Sequence, residues 1–158
     1  MDAGYQTEIY AAVIDERLPE GTAQPFDMME KVEEDDIIIY HLSTGHELNQ
    51  KLKSLGGRKI ILYHNITPEK YFQKYNHGAY LNCRNGLREA RELAPVAEFA
   101  IADSEYNKQD LIRYGYTCDI KVLPILIPFE DYEKKPNQKV INKYGCLLYT
   151  SPSPRDRT

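Results

Sequence analysis

Short apolar stretches recur along the chain, separated by segments with helical spacing. Asp36 to Leu42 (DIIIYHL) is a continuous apolar run rich in β-branched residues. That pattern predicts a strand buried on both faces. Lys59 to His64 (KIILYH) repeats it, and Thr7 to Val13 reads as a short β segment. Glu98 to Ala102 (EFAIA) and Asp119 to Leu123 (DIKVL) have the same character more weakly.

Helical signals fill the gaps. Leu48, Leu52 and Leu55 follow at i, i+4 and i+7, and Gly56-Gly57 stops that segment. Thr67-Pro68-Glu69 has the chemistry of a helix start: a hydroxyl cap, a proline in the first turn and an acid that suits the helix dipole. Cys83, Leu87, Ala90 and Ala94 mark one face of a helix over about Tyr80 to Leu93. Ser104-Glu105 opens another that runs to Tyr114, with Gly115 as its stop.

Strands that alternate with helices predict βαβ units, right-handed crossovers and a mostly parallel sheet. The fold class is therefore α/β, and ligands are expected at the carboxyl ends of the strands. A doubly wound domain would open with a strand and a Gly-rich turn, and neither is seen before Thr7. Residues 1–145 are read as one partial domain. From Cys146 the composition shifts to Ser, Pro, Arg and Thr (CLLYTSPSPRDRT). Residues 146–158 are expected to be an unstructured tail resembling translated adapter rather than native sequence.

Composition narrows the function classes. At 158 residues, 42% hydrophobic and 28% charged, the chain has enough apolar content for a real core. A net charge of −4 offers no broad basic field for nucleic acid. No eighteen-residue apolar run or leader pattern is seen, so a cytoplasmic location without a transmembrane segment is expected. Cys83, Cys118 and Cys146 form neither a disulfide framework nor a CxxC metal pattern. His46 and His77 have no partners at metal-ligand spacing, so no metal is expected; no other cofactor is expected either.

Two loops carry the candidate chemistry. The strand IIIYH runs into Leu42-Ser43-Thr44-Gly45-His46-Glu47, and the strand IILYH into Asn65-Ile66-Thr67-Pro68-Glu69. Thr44 and Glu47 have the spacing of a capping box. Gly45 lacks a side chain, so a ligand could approach the backbone there and meet free N–H groups. Each loop begins with a Tyr-His pair, Tyr40-His41 and Tyr63-His64. His64 is the candidate for proton transfer or charge stabilisation near neutral pH. His41 is the better candidate for a structural histidine, because the second loop has a cap and a proline to give it a defined edge. Asp103-Ser104-Glu105 reads first as an N-cap. Arg84, Arg88 and Arg91, interleaved with Glu89 and Glu92, read as an ion-paired helix face.

Taken in order, DIIIYHLSTG, KIILYHNITP, ELAPVAEFAIADSEYNKQDLIRYGY and IKVLPILIP resemble the N-terminal domain of GT-B glycosyltransferases, in particular the retaining, nucleotide-sugar-dependent group called family 4. The resemblance covers roughly Gly4 to Tyr144. It implies a Rossmann-like parallel sheet with helices on both faces, forming the acceptor-side half of a two-domain enzyme and lacking the first strand. By the same resemblance, Ser43, Thr44, Gly45, Asn65, Thr67 and Ser104 would line the substrate cleft, with His64 near the transferred sugar. The implied partners are a nucleotide-sugar donor and a carbohydrate or lipid-linked acceptor, with peripheral membrane contact open to the full enzyme. The donor-gripping second domain is not in this sequence, so the chain alone is expected to be inactive. Other GT-B activities, a nucleotide-sugar epimerase or a phosphorylase, remain alternatives, as does a non-catalytic α/β ligand-binding module.

Overall fold

The computed structural model describes residues 4–29 and 31–144; the expected tail at 146–158 lies outside them. The chain divides into two compact units, residues 1–124 and 125–158.

The first unit is built on a four-stranded parallel sheet of β3 (Ile37–Leu42), β4 (Arg58–Tyr63), β5 (Phe99–Ala102) and β6 (Asp119–Val122), paired in sequence order. Between them lie α1 (Glu47–Ser54), α2 (His77–Leu93) and α3 (Glu105–Arg113). A smaller parallel pair, β1 (Tyr10–Ala11) and β2 (Gln24–Pro25), precedes them. The second unit contributes a short 3-10 turn, Phe129–Tyr132, and α4 (Gln138–Tyr144). No helix of the described residues is long and apolar enough to cross a membrane.

The parallel α/β architecture is thus as expected, but the three helices of the first unit share one face of the sheet. Leu52 of α1, Ala90 and Leu93 of α2 and Leu111 of α3 are buried in one core with Leu42, Ile61, Tyr63, Ala100, Ala102 and Ile120. All of these strand residues point to the same side. The reason is topological. The strands advance in one direction, so crossovers of one hand lay every helix on one side. Covering the other side requires a reversal of strand order, and β3 to β6 contain none. The opposite face carries Ile37, Ile39, His41, Ile60, Leu62, Phe99 and Ile101. Ile37 and Ile39 are exposed there.

Local chemistry explains the helix ends, with two corrections. Ser104 caps α3 as expected, its hydroxyl accepting from the Asn107 N–H at 3.1 Å. Gly115 ends that helix at φ +96°, a left-handed conformation that glycine adopts without steric cost. At Thr67-Pro68 the expected helix is only a 3-10 turn, Glu69–Tyr71, with Pro68 in an extended conformation and no side-chain cap. The long helix starts at His77 instead, where Asn76 Oδ1 accepts from the Ala79 N–H at 3.0 Å. At α1 the cap is His46, whose Nδ1 accepts from the Leu48 N–H, and not Thr44. The Thr44 hydroxyl is spent on Asn82 Oδ1, at 2.9 Å.

Candidate functional site

Three strands deliver one side chain each to a common point at the carboxyl edge. His41 is the penultimate residue of β3, His64 directly follows β4, and Asp103 directly follows β5. His41 Nδ1 and His64 Nε2 are 2.8 Å apart, and His64 Nδ1 lies 2.9 Å from Asp103 Oδ2. The two imidazole planes are within 22° of each other, with centroids 5.0 Å apart. Rings joined nitrogen to nitrogen in nearly one plane have this separation. The contact is therefore an edge-to-edge N–H···N hydrogen bond.

The chain of bonds fixes the proton positions. An ionised carboxylate only accepts, so His64 Nδ1 carries the proton given to Asp103. In a neutral His64 ring, Nε2 is then an acceptor, and the proton in the next bond belongs to His41 Nδ1. His41 Nε2 is left with a lone pair. Burial gradually changes along the line: the Asp103 side chain is 12% exposed and that of His64 30%, while His41 is an exposed residue. Burial first, then the adjacent His64, pushes the His41 pKa below the ordinary histidine value, with Asp103 opposing. These causes favour the neutral ring of His41.

Around this line the other candidate residues separate into two groups. Ser43, Asn65 and Thr67 are exposed, and their side chains bond to none of the described residues. Asn65 has φ 75°, a left-handed conformation that asparagine tolerates better than most residues. Thr44, Gly45 and Ser104 are instead engaged by the fold. Thr44 is held by Asn82 and Ser104 caps α3. Gly45 does lack a side chain for the sake of a close approach, but what approaches is helix α2. A Cβ there would stand 2.5 Å from the Asn82 carbonyl oxygen and 2.8 Å from the Gly86 nitrogen.

A buried polar network fixes the loop after β3 from below. The Tyr40 hydroxyl donates to Asn49 Oδ1 at 2.5 Å, and Asn49 Nδ2 donates to the Thr44 carbonyl at 3.0 Å and to Glu89 Oε2 at 2.6 Å. Glu89 Oε2 also accepts from the His46 N–H at 3.1 Å. Burial, then the Glu89 charge, pushes the Tyr40 hydroxyl up to about 12. Glu89, read from sequence as part of an ion-paired face, is 7% exposed and holds the loop.

Two residues of the triad escaped the sequence reading. From sequence alone His41 reads as a structural histidine and Asp103 as a neighbour of a helix cap. Their common signal was position, since each stands at or just past the end of a predicted parallel strand. No group of three or more His, Cys, Asp or Glu is placed to hold a metal ion among the described residues.

Comparison with protein-family models, curated proteins and solved structures finds no match to this chain.

Proposed function

We propose that the first unit is the acceptor-side half of a sugar-transferring enzyme, in which a nucleotide-sugar gives its sugar to a hydroxyl of a carbohydrate or lipid-linked acceptor with retention of configuration. The observation that carries the reading is the Asp103–His64–His41 line at the carboxyl edge of a parallel sheet. Parallel α/β sheets bind ligands at that edge. The exposed side chains of Ser43, Asn65 and Thr67 on the adjoining loops suit a ligand rich in hydroxyls, since each can donate and accept. The ordered sequence motifs described above point the same way. His64 acts in this reading from within the line, with both ring nitrogens already bonded to protein.

Transfer needs a second surface to grip the nucleotide, because two substrates must be held in a reactive geometry. The test is nucleotide release by the polypeptide that joins this unit to a donor-side domain, across a panel of nucleotide-sugars and simple glycosides, in wild type and His64→Ala. Acceptor-dependent release that falls by orders of magnitude in the variant supports the reading. No release with any donor overturns it.

A further inference from the structure

We infer that His41, rather than His64, is the proton acceptor of this site: Asp103 and His64 together hold it in the Nδ1–H tautomer, so that Nε2 accepts the proton of a ligand hydroxyl. The substrate class, a sugar or other polyol, rests on the reading of the preceding section. The relay itself rests only on the geometry.

His64 has no ring nitrogen left for a ligand, one being bonded to Asp103 and the other to His41. His41 has one, and it belongs to the exposed end of the line. His41 also projects from the face of the sheet opposite the one that α1, α2 and α3 cover, beside Leu62 and Ile101 in the same register row. A ligand over the carboxyl edge would reach His41 before it reached His64. With its Nδ1 proton given to His64, His41 keeps on Nε2 the lone pair that a general base needs.

The proton step balances within the three residues. The ligand O–H bond breaks, its electron pair stays on oxygen, and a new bond forms between the proton and His41 Nε2. His41 becomes an imidazolium. Its Nδ1 proton can then pass to His64 Nε2, which places the positive charge on the ring beside the Asp103 carboxylate. His41 returns to neutral with its tautomer exchanged. Asp103 and His64 are positioning residues in this scheme, and His41 is the group that touches substrate.

Two measurements on the chain as it stands test the relay without any ligand. With ring-15N histidine at mildly alkaline pH, His41 should show Nδ1 protonated and Nε2 as an unprotonated, pyridine-like nitrogen. His64 should show the same tautomer. Diethyl pyrocarbonate, mapped by peptide mass spectrometry, should label His41 ahead of His64, and Asp103→Ala should slow labelling of His41 several-fold. Asp103→Asn keeps the shape of the side chain and removes its charge, so it serves if the alanine variant does not fold. An Nε2–H tautomer at His41, labelling of His64 first, or labelling of His41 that is indifferent to both Asp103 variants would overturn the inference. Should these results hold while no donor gives nucleotide release, the relay stands and the sugar-transfer reading alone falls.

Discussion

Gly45 and Gly86 meet backbone to backbone, so that the loop after β3 lies directly on helix α2. A Cβ on Gly86 would stand 2.6 Å from the Gly45 nitrogen, and one on Gly45 would stand 2.5 Å from the Asn82 carbonyl oxygen. Neither obstacle is a flexible side chain. Gly45→Ala and Gly86→Ala must therefore push the loop and helix apart, which for overpacking costs about 1–3 kcal/mol. Thermal unfolding should show each variant melting several degrees below wild type. An unchanged midpoint would mean the loop and helix do not touch as described.

Asn49 lies at the centre of the polar network below the same loop. Replacing it by leucine keeps the bulk but leaves the Tyr40 hydroxyl and the Glu89 carboxylate without the amide that now bonds both. Buried groups deprived of a partner cost about 1–3 kcal/mol each, and more when charged. Asn49→Leu should lower the denaturant midpoint accordingly. Glu89→Gln, introduced with it, should recover part of the loss, because the carboxylate that has lost its Asn49 donor, and keeps the His46 N–H and Arg88, is then neutral.

The histidine line makes stability depend on pH. His41 takes up its proton less readily folded than unfolded, because of its burial and the adjacent His64, against the opposing pull of Asp103. Unfolded, it titrates at the ordinary value of 6.5. Between that value and the lower folded one, the unfolded chain binds more protons, so stability falls as pH falls. The contribution is fully present above the ordinary value and is lost as pH drops from there through the lower folded one. Urea midpoints should be lower at about pH 5.5 than at about pH 7.5, with m unchanged. The difference should shrink in His41→Phe.

The strands of the sheet were legible because their signals are local. β3 and β4 follow from the runs IIIYHL and RKIILY, where consecutive apolar residues leave no helical period. The cap at Ser104 and the stop at Gly115 were legible for the same reason. What failed depended on competition between neighbours. Thr44 has the spacing of a cap, but Asn82, from a helix far along the chain, takes its hydroxyl and His46 caps α1. Thr67 precedes a proline, yet the helix waits for Asn76. The site was half legible. His64 could be singled out from its loop, whereas its bonds to His41 and Asp103 depend on lateral pairing of β3, β4 and β5. That register places His41 opposite Leu62 and Tyr63 opposite Ala102. No single strand states it.

The placement of the helices is a related lesson. The central runs of β3 (IIIY) and β4 (IILY) are apolar on both faces, as in strands covered on both sides. Only Ile38, Tyr40 and Leu42 of β3 turn toward the helices, while Ile37 and Ile39 face away and are exposed. The sequence pattern reports the apolar character of both faces, and the order of the strands decides which of them these helices cover.

Under the proposed function, hydroxyl-rich ligands bind at the carboxyl edge beside His41 and His64. The most direct measurement is a titration of the ring-15N histidine chain with a panel of simple glycosides, followed through the imidazole signals. Saturable shifts are expected at His41 and His64 with at least one glycoside, and the shift at His64 should be lost in His41→Ala. Imidazole signals that stay unmoved across the whole panel would contradict the proposed function.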